Sequence, residues 1–404
     1  MMHNRWLVLV VVFLARISMG FQFQSVASVA PFLVEDLSLS YAQLGWLIGL
    51  FSLPGVLAAV PGGILGLRFG ERRVAVLSLA LMAAGGLVTA WGPDFLIASV
   101  GRTVSGVGAI LLNLAFSKIV ADWFAEKEIA TAMGVMLTAW PVGMALGLIS
   151  IGVVAQNNSW RRGMELTVLA ALLSLLLMVL LYRDPPSANR RSSEGAAHSG
   201  FWLSRVEWKL ALIAGLAWAA LNAALFVFVS FAPGVLIAGG VSVGPAGVVV
   251  SLALWTTLVS MPLGGYLADR VKQRDRLIVV SSLAAAGCMG AYATLPMPWL
   301  WCVLGGLVLG PAPGGIMALL PGTLRPDRLS IAFGIYYSVL YAGVAVAQPL
   351  AGLLLDISGH PAMPVWFAAV LMLLVVVGLA VFRRVQKSAS VPRAGGSRES
   401  AVVC

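Results

Sequence analysis

Long apolar segments recur along this chain and constrain its fold more than any other feature. Of its 404 residues, 60% are hydrophobic and only 10% are charged, whereas a soluble domain carries about 25% charged residues. A soluble core could not bury this much apolar sequence, so the solvent of the chain must be a lipid bilayer. Because a backbone in lipid has to satisfy its own hydrogen bonds, apolar segments of about 20 residues predict membrane-spanning helices.

Twelve such segments are separated by polar turns rich in Pro and Gly. The predicted spans are 6–33, 42–66, 74–91, 96–117, 130–153, 163–182, 209–232, 241–266, 277–294, 299–320, 330–354 and 364–382. The sequence therefore predicts an all-α polytopic membrane protein. One long polar segment divides it into two six-helix halves. The predicted units are an N-terminal bundle (1–182), a linker (183–208), a C-terminal bundle (209–386) and a disordered tail (387–404).

Basic residues lie almost entirely on one side of the predicted spans. Twenty-two of the 26 lysines and arginines lie on the side of both termini, two lie on the opposite side, and Arg16 and Arg102 lie inside spans. By the positive-inside rule, the basic side faces the cytoplasm. We therefore expect a multi-pass protein of the cytoplasmic (inner) membrane with both termini inside. The net charge of +10 then reflects topology and does not indicate a nucleic-acid partner.

Two stretches of the first half recur in the second half at nearly the same spacing. Pro61–Arg68 aligns with Leu263–Arg270 at an offset of 202 residues, and Ala132–Gly134 aligns with Ala332–Gly334 at an offset of 200. Repeated halves of this kind are typical of transporters whose substrate site lies between the halves. The repeat predicts pseudo-twofold symmetry and a central site.

The loop after the second span carries a recognisable motif. It reads Gly63-x-x-x-Leu67-Arg68-x-Gly70-Glu71-Arg72-Arg73. This resembles the Gly-x-x-x-Asp-Arg-x-Gly-Arg-Arg loop motif of the major facilitator superfamily, and Gly265-x-x-x-Asp269-Arg270 is a similar second copy. The fourth span carries Arg102-x-x-x-Gly106-x-Gly108, which resembles the family's fourth-helix motif. The resemblance implies two six-helix bundles around a central cavity, working by alternating access.

The resemblance also implies a conformational latch. In the family, the Asp of the loop motif is thought to hold one state by lying against a helix N-terminus of the other half. The residues implied here are Gly63, Arg68, Gly70, Arg72, Gly265, Asp269 and Arg270. Leu67 replaces the Asp in the first copy, so we expect the latch to be asymmetric and to depend on Asp269. Glu71 as a substitute for the missing Asp is the alternative.

A Gly-rich run in the tenth span resembles a signature of drug/proton antiporters. It reads Gly310-Pro311-Ala312-Pro313-Gly314-Gly315. That signature belongs in the fifth helix of drug/proton antiporters, so its position here does not support drug export. A run of Pro and Gly inside a span instead predicts a kinked helix.

Two arginines are the charged residues placed deepest in the spans, and such residues are functional candidates. Arg16 shares one helical stripe with Gly20 and Gln24, while Arg102 and Asn113 belong to a stripe of the fourth span. Arg102 has a second interpretation, in which it only donates to backbone carbonyls of a neighbouring helix. The remaining substrate-binding candidates are Trp218 and Asn222 in the seventh span and Tyr337 and Tyr341 in the eleventh.

Deep cationic residues without an acidic partner favour an anionic substrate, because a guanidinium binds a planar oxyanion through two hydrogen bonds. We predict a secondary transporter that moves a small organic or inorganic anion. An exporter of apolar or cationic drugs and a non-transporting membrane sensor are the alternatives. The three histidines and three cysteines have no metal-ligating or catalytic spacing, so we expect no enzyme, metal or cofactor. We expect a monomer, and the sequence leaves a coupling ion open.

The topology can be tested by labelling of single cysteines. In intact cells, Ser193→Cys in the linker should be protected from a membrane-impermeant thiol reagent, because the linker lies on the basic side. A cysteine near His360 should be labelled. The opposite pattern would invert the predicted orientation.

Overall fold

The computed structural model describes residues 5–57, 65, 66, 68–124, 128–183, 203–270, 273–325 and 328–388, without the side chains of 130, 267–270 and 330. These residues form helices and turns, with no strand among them. The helices are α1 (Arg5–Ser28), α2 (Ala30–Asp36), α3 (Tyr41–Gly49), α4 (Glu71–Trp91), α5 (Phe95–Phe124), α6 (Ile129–Asn157), α7 (Trp160–Leu181), α8 (Arg205–Ala238), α9 (Val243–Arg270), α10 (Arg274–Thr294), α11 (Pro298–Leu309), α12 (Pro311–Met317), α13 (Leu329–Ser358) and α14 (Met363–Ser388).

The described part contains 11 stretches of helix that are long and apolar enough to cross a membrane. The predicted second span begins as α3 and continues through turns, and residues 58–64 lie outside the described part. With this span, the chain forms two bundles of six helices, as the sequence predicted.

Several helix boundaries differ from the prediction for local reasons. The first span is divided at Val29, where Pro31 in the first turn of α2 starts a new helix. The tenth span is divided at Gly310, and Pro311 begins the new helix α12. The seventh span begins earlier than predicted, because Ser204 and Glu207 form a capping box at the start of α8.

The two bundles pack by the same scheme. In the first bundle α1 packs on α6, α4 on α5, and α4 on α7. In the second bundle the repeat counterparts do the same, with α8 on α13, α10 on α11, and α10 on α14. Small residues allow these close contacts: a Cβ on Gly20 would collide with the backbone oxygen of Trp140. The equivalent packing supports the pseudo-twofold symmetry read from the sequence.

The halves meet along two pairs of helices, α3 with α13 and α6 with α9. We call the end of the bundle with the basic loops the inner end and the opposite end the outer end. Gly45 lies against the backbone of Gln348, and Gly352 lies against the backbone of Tyr41. Gly247 of α9 similarly faces Leu148 of α6. These contacts lie toward the outer ends of the four helices, so the halves are joined there.

A carboxylate crosses between the halves at the outer end. The Asp356 carboxylate accepts backbone hydrogen bonds from Tyr41 (2.9 Å) and Ala42 (2.8 Å), the first two residues of α3. The first N–H groups of a helix have no partner within the helix and carry a partial positive charge. Asp356, near the end of α13, therefore stabilises the contact between the halves at the outer end.

Neutralising this carboxylate should loosen the outer contact. We expect Asp356→Asn to weaken it by about 0.3–1 kcal/mol, because the charge at a helix N-terminus is lost, and to shift the protein toward states open at the outer end. Distances between spin labels at the outer ends of α3 and α13 would measure this shift.

Asp94→Asn is the matched control for this substitution. The Asp94 carboxylate accepts a hydrogen bond from the backbone of Ile97 (2.9 Å) at the start of α5, within one half. Its neutralisation should leave the distance distribution unchanged. Equal effects of the two substitutions would show that the contact between halves does not depend on the Asp356 charge.

Candidate substrate-binding site

The site is built around Arg16, on the face of α1 between the two halves. The Arg16 side chain is 6% exposed, and its Nη1 donates to Oδ1 of Asn113 on α5. The hydroxyl of Tyr341 on α13 lies near both Asn113 and Arg16. The structure therefore brings three of the sequence-predicted residues together, two from the first half and one from the second.

The positive charge of Arg16 has no carboxylate partner among the described side chains. Its electrostatic neighbours are the phenol groups of Tyr337 and Tyr341. The Nε of Arg16 is buried and has no hydrogen-bond acceptor. Since Nη1 is engaged by Asn113, the edge formed by Nε and Nη2 is the part of the guanidinium left for a ligand.

Other buried donors around the interface between the halves also lack partners. They are Nε1 of Trp140, Nε1 of Trp218, the hydroxyl of Tyr336 and the amide of Gln348. Trp218 stacks on Tyr336 with ring centroids 6.1 Å apart. Buried polar groups in proteins are nearly always hydrogen-bonded. These unpaired donors belong to more than one region, because Gln348 lies at the outer contact beside Gly45 whereas Trp218 and Tyr336 stack on each other within the second half.

Three aromatic rings form a layer that joins the halves, and we call Phe23, Trp140 and Phe226 the aromatic layer. The ring centroid of Phe23 lies 5.6 Å from that of Trp140 and 5.0 Å from that of Phe226. Trp140 and Phe226 are 6.5 Å apart. Phe23 and Trp140 belong to the first half and Phe226 to the second. Phe23 is fully buried, whereas Trp140 and Phe226 keep partial exposure.

Arg102 is fully buried, but its hydrogen-bonding groups are used by the protein backbone. Nε donates to the carbonyl of Leu47 (2.9 Å), Nη1 to that of Gln22 (2.8 Å) and Nη2 to that of Phe23 (3.1 Å). The guanidinium also lies 4.7 Å from the ring centre of Phe51. These contacts favour the second interpretation of Arg102, a structural role in which it joins α1 and α3 to α5.

Two of the remaining substrate-binding candidates, Gln24 and Asn222, donate to backbone oxygens. The amide nitrogen of Gln24 is 3.5 Å from the backbone oxygen of Val229 in the other half. Asn222 donates to the backbone oxygen of Trp218 on its own helix (2.9 Å). Neither amide is bonded to Arg16, so the structure does not bring them into the group formed by Arg16, Asn113 and Tyr341.

The predicted latch is only partly visible. Arg68 is exposed, Gly70 precedes α4 with a φ of 82°, and Arg72 donates to the backbone oxygen of Val179 (2.8 Å). Gly63 and Leu67 lie outside the described residues, as do the side chains of Asp269 and Arg270. A Cβ on Gly265 would meet no neighbour. The latch therefore stays a prediction.

Phe23, Phe226 and Asp356 are residues of interest that the sequence did not single out. Phe23 lies seven residues after Arg16, and Phe226 lies eight after Trp218, so both continue stripes that the sequence had identified. Their apolar side chains resembled ordinary membrane-facing residues. Asp356 looked like one acidic residue among several at span ends, and no pattern pointed to its partner on α3.

A small apolar cavity lies inside the second half, separate from Arg16. Its lining includes Phe228, Cys288, Trp301 and Cys302. No charged side chain lines this cavity, so it offers no charge for an anion. We therefore place the candidate site at Arg16.

Two repeated bundles of long apolar helices that meet along a central interface are typical of membrane transporters. A family profile described as the Major Facilitator Superfamily matches residues 12–301 and 233–403. The chain therefore belongs to the Major Facilitator Superfamily and is a secondary transporter of small solutes, not an enzyme.

Known proteins with similar sequence or structure agree with this assignment. The chain is 23% identical over 309 residues to the hexuronate transporter of Bacillus subtilis (strain 168), covering 71% of this chain and 72% of the relative. It is 26% identical over 345 residues to the 2-nitroimidazole transporter of Escherichia coli (strain K12), covering 84% and 86%. The inward open structure of the xylose transporter XylE from E. coli matches with a TM-score of 0.76 and 14% identity, covering 98% of each chain.

The structural role of Arg102 can be tested by thermal unfolding of the purified protein. Hydrogen bonds to charged groups contribute about 1.5–3 kcal/mol each, and a lysine cannot reach three separate carbonyls with a planar fork. Arg102→Lys should therefore lower the unfolding temperature clearly, while Arg16→Lys should lower it much less. Unchanged stability of Arg102→Lys, together with lost transport, would instead place Arg102 among the substrate-binding residues.

Proposed function

We propose that this protein transports a small anion by alternating access and that Arg16 binds the anion. One observation carries the proposal: a buried guanidinium between the halves has no carboxylate partner among the described residues and has one nitrogen without an acceptor. A carboxylate or similar oxyanion would supply both the missing charge and the missing acceptor.

The energetic argument concerns the burial of charge. An arginine near the middle of a membrane helix costs about 2.5–3.5 kcal/mol on insertion scales, and an apolar residue would pack without that cost. Asn113 offsets part of it through one neutral oxygen. An anion held by two charge-assisted hydrogen bonds along the Nε–Nη2 edge would offset more. Asn113 then acts as a positioning group that fixes the orientation of the guanidinium.

The relatives are compatible with an anionic substrate. The hexuronate transporter is named for a sugar acid, whose carboxylate is the kind of group that Arg16 would bind. The 2-nitroimidazole transporter is named for a small planar heterocycle. These two names support a small organic solute, and the site chemistry adds the preference for negative charge.

The charges near the site also bear on coupling. Among the described acidic residues, none lies in the middle of a span; Glu35, Asp36, Asp94 and Asp356 are at helix ends. No carboxylate is therefore placed to carry a proton beside Arg16, which supports anion exchange or facilitated entry.

Two alternatives from the sequence are less well supported. Export of apolar or cationic drugs would suit the aromatic layer, but the Arg16 charge opposes binding of a cation. A sensor without transport would not require the equivalent packing of two halves around one site.

Substitution of Arg16 tests the proposal directly. Arg16→Gln should abolish anion uptake into proteoliposomes, because both the charge and the two-pronged donor are lost, and Arg16→Lys should reduce it only partly. Uptake would be measured with a panel of labelled organic and inorganic anions.

Lys118→Gln is the control for net charge. Lys118 forms ion pairs with Asp122 (3.4 Å) and Glu71 (3.8 Å) toward the inner end of α5, outside the site. Lys118→Gln removes the same unit of positive charge as Arg16→Gln, and anion uptake by this variant should stay near the wild-type level. Wild-type binding and uptake by Arg16→Gln would contradict the proposal and make Arg16 structural.

A further inference from the structure

We infer that the preferred substrate is an aromatic carboxylate, with its carboxylate on Arg16 and its ring against the aromatic layer. This inference rests on the proposed function, because it takes Arg16 as the anion site. It adds three specificity-determining residues, Phe23, Trp140 and Phe226, for which the structure gives a position and a chemistry.

The aromatic layer lies outward of Arg16. Phe23 is seven residues after Arg16, which at about 100° per residue returns to nearly the same face and rises about 10 Å. Phe226 follows Trp218, the repeat counterpart of Arg16, by eight residues, which places it about 12 Å further along α8 and about 80° around it. A solute bound at Arg16 from the inner end would therefore meet the aromatic layer next.

The two levels of the site differ in chemistry. At the level of Arg16 the neighbours are polar: Asn113, Tyr337 and Tyr341. At the level of the aromatic layer, the polar atom of its three side chains is the Trp140 indole nitrogen, a donor without a partner. The Oε1 atom of Gln24, which follows Phe23, is a further buried polar atom without a partner. Two such atoms cannot replace the water around a ring that carries many hydroxyl groups, whereas an aromatic hydrocarbon ring has no hydrogen bonds to water to lose.

The arrangement of the three rings suits a fourth. Aromatic pairs are favourable at centroid distances of about 4.5–7 Å in tilted or offset geometry, and the three pairs of the layer lie at 5.0, 5.6 and 6.5 Å with tilts of 53°, 46° and 34°. Trp140 and Phe226 remain partly exposed, so their rings are not fully covered by protein. A substrate ring placed against them would contact both halves of the transporter.

Arg102 supports this layer from the outer side. It donates to the carbonyl of Phe23 and lies over the ring of Phe51, whose centroid is 5.7 Å from that of Phe23. The layer is therefore held in place by a buried network and offers a fixed apolar surface to a ligand. Because these rings are already fixed by packing, they lose little conformational entropy when a ligand binds, and this favours affinity.

Three ligands of similar size separate the contributions of ring and charge. Binding of phenylacetate, cyclohexylacetate and phenylacetamide to the purified full-length protein would be measured by calorimetry. We expect phenylacetate to bind about two- to tenfold more tightly than cyclohexylacetate, since aromatic pairs add that much beyond the burial of apolar area. Phenylacetamide should not bind measurably, because it lacks the charge.

Two phenylalanines on α8 give a matched pair of variants. Phe226→Leu should remove the preference for phenylacetate over cyclohexylacetate while keeping the binding of cyclohexylacetate. Phe228→Leu is the control, because Phe228 packs edge-on against Tyr292 inside the second half (5.1 Å between centroids) and should leave the preference intact.

The outcomes distinguish this inference from the proposed function. Equal affinities of wild-type protein for phenylacetate and cyclohexylacetate, both lost in Arg16→Gln, would overturn the aromatic preference and leave the anion site standing. If phenylacetamide binds as tightly as phenylacetate, and Arg16→Gln weakens neither, both the aromatic preference and the anion site at Arg16 are overturned. The wild-type comparison needs no variant, so the test holds even where Phe226→Leu does not fold.

Discussion

A bilayer core offers no water to complete hydrogen bonds, and most features of this structure follow from that constraint. It requires the backbone to be helical across the membrane, and it makes every unpaired polar group between the helices costly. The two buried arginines are therefore the most informative residues in the chain. Each must find partners inside the protein or on a ligand, and the partners it finds indicate its role.

The two arginines meet this constraint in different ways. Arg102 donates to three backbone carbonyls of α1 and α3, so its hydrogen bonds are supplied by the fold. Arg16 has one neutral side-chain partner in Asn113, and its Nε has none. The first arrangement joins helices and supports the aromatic layer. The second leaves the charge of Arg16 without a carboxylate among the described residues and its Nε without an acceptor, which is the basis of the proposed anion site.

The closure of the outer end depends on contacts made between the halves. Glycines at 45 and 352 bring the backbones of α3 and α13 together, and Asp356 binds the first N–H groups of α3. A carboxylate at a helix N-terminus of the other half is the interaction that the loop motif implied for the inner end. Here it occurs at the outer end with an unrelated residue, because any helix N-terminus offers the same unpaired donors.

Local sequence determined the helices, the repeat and the depth of the polar residues, because apolar length, Pro and Gly positions and helical periodicity act over short distances. The same local patterns identified Arg16, Asn113 and Tyr341 as site candidates. The helix breaks at Gly310 and Val29 also follow from local chemistry, and only the break at Gly310 lies where the sequence predicted a kink. Tertiary structure decided which residues meet. Asn113 lies 97 residues from Arg16, and Asp356 lies 315 residues from Tyr41. Such partners, and the difference between Arg102 and Arg16, arise only when the two halves pack, since no local pattern specifies which carbonyl, amide or ring a buried side chain will reach.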